Sequence, residues 1–495
     1  MTIRKYNSII LFITGFFLFM FTRRSELFPT IQIMIIIAPI FILRFIRIQS
    51  TKKGILLTFL GFFLSLNIAL FGLFDLSGSL MEILFNTVRS TIIALMYFVP
   101  YMVDRLIYPK FKKYPIISSL IFPVSVTAIM FLFSLEGPID GTEAKTIFSY
   151  GPLIFQQINS ITGLWGFIFI FSWIATTINN LWEYNFEIKK SKTVLVVFAS
   201  IFLVSLFFGT IKVNTTNQYE NTVKIAAIIL LPEDGKAVSM EKIIEERNTS
   251  SFNKRLLKIE QLTKTASQKG AKIISFQEFA MLINDEDQDS LRKEYKRIAK
   301  ENNVYLSITY GYFSKKEKGE NKHLLINNQG EILLDYTKRY LLGFGDIGET
   351  AVFKKGVEII QYTDTPYGRL AISICKDMNY PAYIRQAGEA DVDIMLNPSY
   401  DFPKSTSPSY YDRAIENGFS IIRPTYNGIT YMEDYNGEII AMMDSDKTET
   451  GILYADLPIK GVETIYYKIG DLLGWLSLFG LFVLIFISIR LKNNS

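Results

Sequence analysis

The chain has 495 residues, of which 49% are hydrophobic and 20% charged, with a net charge of +5. One cysteine excludes a disulfide scaffold, and one histidine argues against zinc sites and Ser-His-Asp chemistry. Charged residues are sparse before about residue 210 and dense from 215 to 460, which excludes both a disordered chain and a wholly soluble enzyme.

Apolar runs long enough to cross about 30 Å of hydrocarbon, roughly 17–25 residues, occur seven times before residue 212. They cover 6–22, 27–46, 54–74, 79–103, 114–135, 153–181 and 193–211, and an eighth covers 468–490. Arg23 and Arg24 lead from the first span into the second with no small-residue cleavage site between them, so the first is expected to be retained.

The loops set the expected orientation. Arg47, Lys52 and Lys53, then Arg105, Lys110, Lys112 and Lys113, then Lys189, Lys190 and Lys192 fall in alternate loops, and Arg490 and Lys492 follow the last span. The intervening loops carry Asp75, or Glu136, Asp140 and Glu143 with a lone Lys145. The bias of basic residues toward the cytoplasm puts both termini inside and residues 212–466 outside, with Arg23 and Arg24 the exception. The basic loops are read as topology determinants and anionic-lipid contacts, not a nucleic-acid site.

Residues 212–466 read as an α/β domain. Phe252 to Lys269 has helical spacing and leads into a short apolar strand, Ala271 to Phe276. Ser290 to Lys300 predicts a helix and Val304 to Phe313 a strand. Asn328, Gln329 and Gly330 separate two further apolar runs as a hairpin turn would. Strands are predicted at Arg369 to Ile374, Asp393 to Leu396 and Ser420 to Ile422, so the domain alternates strands and helices in layers.

Three residues that could do chemistry each follow a predicted strand: Glu278, Lys338 and Cys375. A cysteine at a strand end can be presented at a sheet rim, where a nearby cation such as Lys376 would favour the thiolate. Taken singly, they are more often a structural cysteine, a surface carboxylate and a solvated lysine. His323 lacks a partner histidine and is expected to be structural or exposed.

In that order, Glu278, Lys338 and Cys375 resemble the Glu-Lys-Cys triad of the nitrilase, or carbon–nitrogen hydrolase, superfamily. The runs Tyr336 to Arg339 and Tyr367 to Cys375 agree with it. Arg413 to Gly418, Arg423 to Thr430, Gly343 to Asp346 and the span containing Pro152 to Phe167 narrow the resemblance to the apolipoprotein N-acyltransferases. It implies a multi-span α-helical membrane domain plus an exported α/β nitrilase-like domain, an αββα sandwich. The expected division is 1–211 membrane helices, 212–466 extracytoplasmic catalytic domain, and 467–495 a closing helix and tail.

The resemblance further implies a fatty acyl chain taken from a phospholipid donor onto Cys375 as a thioester, in ping-pong fashion. The acceptor would be the N-terminal amine of a diacylglyceryl-modified lipoprotein. Glu278 would be the base and Lys338 the charge stabiliser, with Asp346, Asp377 and Lys376 in support and Tyr400, Phe402, Asn427 and Arg423 toward substrate. No cofactor, metal or nucleic acid is implied, and a monomer in the bacterial cytoplasmic membrane is expected. With histidine effectively absent, a carboxylate must serve as base, and a thioester is readily aminolysed. The family commonly has Cys-Tyr-Glu where this chain has Cys375, Lys376 and Asp377. A membrane-tethered amidase using water, an acyltransferase with another lipid-linked amine acceptor, and a non-enzymatic scaffold for lipidated partners remain the alternatives.

Overall fold

The computed structural model describes residues 2–23, 25, 27–71, 80–135, 152–215, 219–230, 249–314, 316–344, 347–401, 411–445 and 451–491. The chain divides into two compact units, Met1–Thr215 with Ile469–Ser495, and Thr216–Lys468.

The first unit is helical. Its helices include Thr2–Met20, Met34–Ile48, Thr51–Ala69, Leu80–Phe111, Pro115–Ser134, Leu164–Glu183, Ile188–Thr215 and Leu472–Arg490. Six helical segments among the described residues are long and apolar enough to cross a membrane, and Asn7–Met20 is a shorter apolar one. Ile10, Val204, Phe207, Phe479 and Ile489 are exposed, while Ser65, Ser125, Thr127 and Thr177 are buried. That inverts the arrangement of a water-soluble bundle and suits a hydrocarbon surround, where small polar residues pack helices together.

Two predicted spans begin later than their apolar runs. The second helix starts at Met34, after a turn. The sixth is broken into the turns Leu153–Gln156 and Asn159–Thr162 before Leu164–Glu183, because Gly163 adopts φ +63°. Ser160 Oγ donates to Gln157 O at 2.7 Å, satisfying part of the freed backbone there. At one end of the unit Arg47 binds Asp104 through two bonds of 2.8 Å, tying Met34–Ile48 to Leu80–Phe111.

The second unit holds two sheets. Its strands in chain order are β1 (Thr222–Ile228), β2 (Ile273–Phe276), β3 (Met281–Asn284), β4 (Tyr305–Phe313), β5 (Glu320–Ile326), β6 (Ile332–Thr337), β7 (Gly343–Phe344) and β8 (Ile347–Gly348). Then follow β9 (Gln361–Thr365), β10 (Gly368–Ile372), β11 (Ile394–Leu396), β12 (Ser399–Tyr400), β13 (Ser420–Arg423), β14 (Thr425–Tyr426), β15 (Ile429–Glu433), β16 (Ile439–Asp444) and β17 (Ile452–Pro458). One sheet runs β17-β1-β2-β4-β5-β6, with β3 beside β4, and the other runs β16-β15-β13-β11-β10-β9.

Period-2 alternation sorts the side chains into layers. Val223, Ile225 and Ala227 of β1 join Leu370, Ile372, Ile394, Leu396 and Ile422 in the core between the sheets. Ala226 and Ile228 face the other way, with Ile259 and Leu291 of helices Thr249–Gln268 and Gln288–Glu301. Ala371, Met395 and Ile421 meet Ile384 and Ala414 of helices Pro381–Glu389 and Tyr411–Asn417 on the far side. The layers are therefore helix, sheet, sheet, helix. β1, β2 and β4 are mutually parallel, as are β10, β11 and β13, so each sheet gathers strand C-termini at one rim.

His323 lies inside β5 and is fully buried, the structural of the two readings the sequence allowed. Its Nδ1 is 3.1 Å from Ser373 O and its Nε2 2.7 Å from Ser307 Oγ. A carbonyl can only accept, so Nδ1 carries the proton and Nε2 accepts from Ser307. Desolvation lowers its pKa to about 3. The histidine thus pins the strand leading to Cys375 onto the first sheet as a neutral ring. Its ring nitrogen NMR shifts should stay constant from about pH 8 to about pH 4; a titration near the usual histidine pKa would show that the ring is not buried this way.

Candidate active site

The rim collects side chains from strand ends. β2 ends at Phe276 and delivers Glu278, β6 ends at Thr337 and delivers Lys338, and β10 leads through Ser373 and Ile374 to Cys375. Glu278 and Lys338 are 1% and 2% exposed. Lys338 Nζ donates to Glu278 Oε1 at 2.8 Å and to Glu349 Oε1 and Oε2 at 2.9 and 2.7 Å. Asn321 Nδ2 bridges the same carboxylates, at 2.8 Å to Glu278 and 3.1 Å to Glu349.

Glu349 and Asn321 were not anticipated. Asn321 sits on β5 with inward alternation, and Glu349 follows Gly348 after the β7–β8 ribbon, where no local pattern announces a return to the lysine. The sequence pointed instead to Asp346 as the acid after the lysine. Asp346 and Phe402 lie outside the described residues.

One cation between two carboxylates leaves a buried excess of negative charge. Burial raises the Glu278 pKa, Lys338 opposes this, and Glu349 adds to it. Lys338 stays charged, because both carboxylates outweigh its own desolvation.

Cys375 adopts φ +45°, a region disfavoured for residues with a Cβ, at the start of the 3-10 turn Cys375–Asn379. Asp377 holds that turn closed: its carboxylate accepts from Ile374 N at 2.9 Å, Tyr340 N at 2.8 Å and Tyr336 Oη at 2.7 Å. It is fully buried, and desolvation raises its pKa to about 6. Its geometric part is therefore to fix the backbone at Cys375 and the loop after Lys338.

The thiol is pushed up to about 12, first by burial and then by the Glu278 charge, with Lys338 opposing. This corrects the expectation that Lys376 makes it more acidic. Lys376 Nζ donates to Leu341 O at 2.9 Å, and that bond ties the turn to the lysine loop. Cys375 Sγ is 3.7 Å from Tyr400 O, and its N–H donates to Pro398 O at 2.9 Å. At rest the Cys375 side chain is a thiol.

Tyr400 N–H donates to Glu278 Oε2 at 2.8 Å, so this residue reaches the site through its main chain. Its ring lies 5.1 Å from that of Tyr426 and 6.4 Å from that of Phe279, and Asn427 Nδ2 donates to its hydroxyl at 3.2 Å. Arg423 is not disposed toward a substrate, contrary to expectation. It is 1% exposed, and its guanidinium donates to Asn397 Oδ1, to Ser399 Oγ at 2.6 Å and to Asp401 Oδ1 at 3.0 Å. Phe279, Phe313, Leu341 and Phe353 form an apolar cluster beside Tyr400. Among the described residues there is no cluster of His, Cys, Asp and Glu that could hold a metal ion.

A carboxylate, an ammonium and a thiol are thus gathered at one rim, the first two buried, with a second carboxylate keeping the ammonium charged. Such an arrangement can remove a thiol proton and stabilise an oxyanion during attack on a carbonyl.

Residues 237–467 match the sequence model of the family described as carbon-nitrogen hydrolase. The deaminated glutathione amidase of Dictyostelium discoideum is 32% identical over 153 residues, 28% of this chain and 51% of that protein. The apolipoprotein N-acyltransferase of Rickettsia typhi is 25% identical over 349 residues, 66% of this chain and 67% of that protein. An amidase of known structure from Nesterenkonia sp. aligns with a TM-score of 0.40 at 19% identity, over 50% of this chain and 92% of that one. The chain spans half of the glutathione-amidase relative, 51%, and two thirds of the acyltransferase, 67%. The layered unit is nitrilase-like, as the sequence resemblance implied.

Proposed function

We propose that the chain is a member of the apolipoprotein N-acyltransferase family within the carbon–nitrogen hydrolase superfamily, and that it transfers a fatty acyl chain from a membrane phospholipid, through a Cys375 thioester, to the N-terminal amine of a diacylglyceryl-modified lipoprotein. The observation that carries the reading is the buried Lys338–Glu278 pair, joined to Cys375 by Tyr400, whose N–H binds Glu278 Oε2 and whose O lies 3.7 Å from Cys375 Sγ, in a chain that also has membrane-length apolar helices.

Glu278 takes the thiol proton as sulfur attacks the ester carbonyl of the phospholipid. Lys338 faces the developing oxyanion, and the lysophospholipid alkoxide leaves with the proton held by Glu278. The amine of the second substrate then attacks the thioester, gives its proton to Glu278, and releases the thiol. Asp377 fixes the nucleophile's turn, and the catalytic unit faces the extracytoplasmic side of the bacterial cytoplasmic membrane, in accordance with the basic loops.

The amidase reading draws on the similarity to the deaminated glutathione amidase. It requires water as acceptor and gives the apolar helices no part in substrate supply.

The experiment is intact mass of the detergent-purified chain incubated with phospholipid alone. Expected is one added acyl chain, removed by hydroxylamine and absent in Cys375→Ala. No adduct from any phospholipid, together with acid and ammonia released from small amides, would replace the transferase with the amidase.

A further inference from the structure

Residues 397–401 extend the line of β11 beyond Leu396 as a short segment between two neighbours. On one side its main chain pairs with the segment after β13: Asn397 N to Ile422 O, Ser399 N to Pro424 O and Asp401 N to Tyr426 O, each 2.9 Å. On the other side the intervening residues face the reacting groups. Pro398 O takes the Cys375 N–H, Tyr400 N–H binds Glu278 Oε2, and Tyr400 O lies 3.7 Å from Cys375 Sγ.

The alternation puts Asn397, Ser399 and Asp401 on one face of the segment. There they meet a single cation: the Arg423 guanidinium donates to all three, and Ser399 Oγ donates to Asp401 Oδ1 at 3.1 Å. Asn397 Nδ2 also donates to Ser373 Oγ at 2.8 Å, two residues before the nucleophile. A planar fork with several donors can hold three acceptors at once, which an ammonium on a flexible stem does poorly.

We propose that Arg423 is a positioning residue of the acyl-transfer site: by holding Asn397, Ser399 and Asp401 it sets the Tyr400 main chain, which binds the base Glu278 and the nucleophile Cys375 together. This rests on the reading of Glu278 and Cys375 as base and nucleophile. Arg423 acts through the peptide between Ser399 and Asp401.

The charges give the role a signature. Arg423 favours the Cys375 thiolate and Asp401 disfavours it. Arg423→Gln and Asp401→Asn each remove the charge and keep a hydrogen-bonding group in its place, so with the pair seated beside the sulfur they should shift thiol reactivity in opposite directions, whereas a pair seated elsewhere would shift it in one common direction or not at all.

The test uses the full chain in detergent. Cys375 is its only cysteine, so intact mass reads alkylation at that residue alone. At about pH 8.5, well below the pH at which the thiol ionises, the iodoacetamide rate follows the thiolate fraction. Arg423→Gln should slow it by about threefold to thirtyfold and Asp401→Asn should speed it by a similar factor. Arg423→Lys keeps the charge and loses the fork. It should alkylate within about threefold of the wild type, while kcat for acyl transfer from phospholipid falls about tenfold to a hundredfold at nearly constant KM.

Shifts of the same sign in Arg423→Gln and Asp401→Asn would overturn the proposal, as would wild-type kcat in Arg423→Lys. Where Arg423→Gln does not fold, Ser399→Ala takes its place: a several-fold fall in kcat at constant KM supports the assignment, and wild-type kcat overturns it. Absence of acyl transfer by the wild type would count against the proposed function, and the alkylation rates would still decide the part played by Arg423.

Discussion

Lys338→Met should lower the stability of the catalytic unit by about 3–5 kcal/mol, because it strands two carboxylates beside each other in a buried site. In the native chain the Lys338 ammonium lies within 2.8 Å of Glu278 and 2.7 Å of Glu349, and all three side chains are at most 5% exposed. Without the cation the only large relief is protonation of one carboxylate. The burial that already raises the Glu278 pKa then acts with Glu349 unopposed. The variant should therefore be weakest at neutral and alkaline pH and recover as pH falls and the pair takes up a proton.

For a unit of this size the loss corresponds to roughly 6–20 °C in the unfolding midpoint. A thiol-reactive fluorophore reads it directly, since Cys375 is the single cysteine and the thiol pKa is pushed up to about 12 in the folded state. The four tryptophans all fall outside residues 216–468, so tryptophan fluorescence reports the helical unit separately. Lys338→Met combined with Glu349→Gln should regain a large part of the loss, and the two changes should be strongly non-additive. An unchanged thiol-dye midpoint in Lys338→Met would mean that the carboxylates are solvated and the buried triplet is wrong.

The chain shows which parts of such an assembly are legible in sequence. Apolar runs could be read because a bilayer demands about 20 residues in a row whatever the helices pack against. The break at Gly163 could not, since it depends on a φ of +63° that the surrounding apolar run hides. The strands carrying Glu278 and Cys375 stood out as short apolar runs with a reactive residue at the end. Glu349 did not, because its position follows from the path of a loop and not from a periodic pattern.

Charge was the least legible property. Lys376 is adjacent to the thiol in sequence, yet its ammonium lies against Leu341 O, while Lys338, 37 residues earlier, is among the cations acting on the sulfur. The family resemblance put Arg423 toward substrate. In the fold it is closed into the rim by three acceptors from one segment. Asp377 was expected as a supporting acid, and in the fold its carboxylate caps the turn that presents Cys375.

Glu278→Gln should separate two kinds of thiol reactivity that are usually expected to move together. The negative charge of Glu278 is the second cause, after burial, of the high Cys375 pKa, and neutralising it stabilises the thiolate. Alkylation by iodoacetamide at about pH 8.5 should accordingly be faster in Glu278→Gln than in the wild type. Acylation by phospholipid should become about 10²–10⁴-fold slower, because sulfur attack on an ester needs its proton removed as the bond forms.

The pH dependence follows from the same carboxylate. Its pKa is raised, chiefly by desolvation, so wild-type acylation should decline with falling pH at a higher pH than an ordinary glutamate would give. That acid limb should be missing in Glu278→Gln, whose residual rate rises only as hydroxide or bulk buffer takes over. If both alkylation and acylation fell in parallel, Glu278 would be setting the resting thiolate and not acting as a base during attack. Faster alkylation with slower acylation would place its proton transfer in the acyl-forming step, and would make the tight contact between Tyr400 N–H and Glu278 Oε2 the natural means of aiming it.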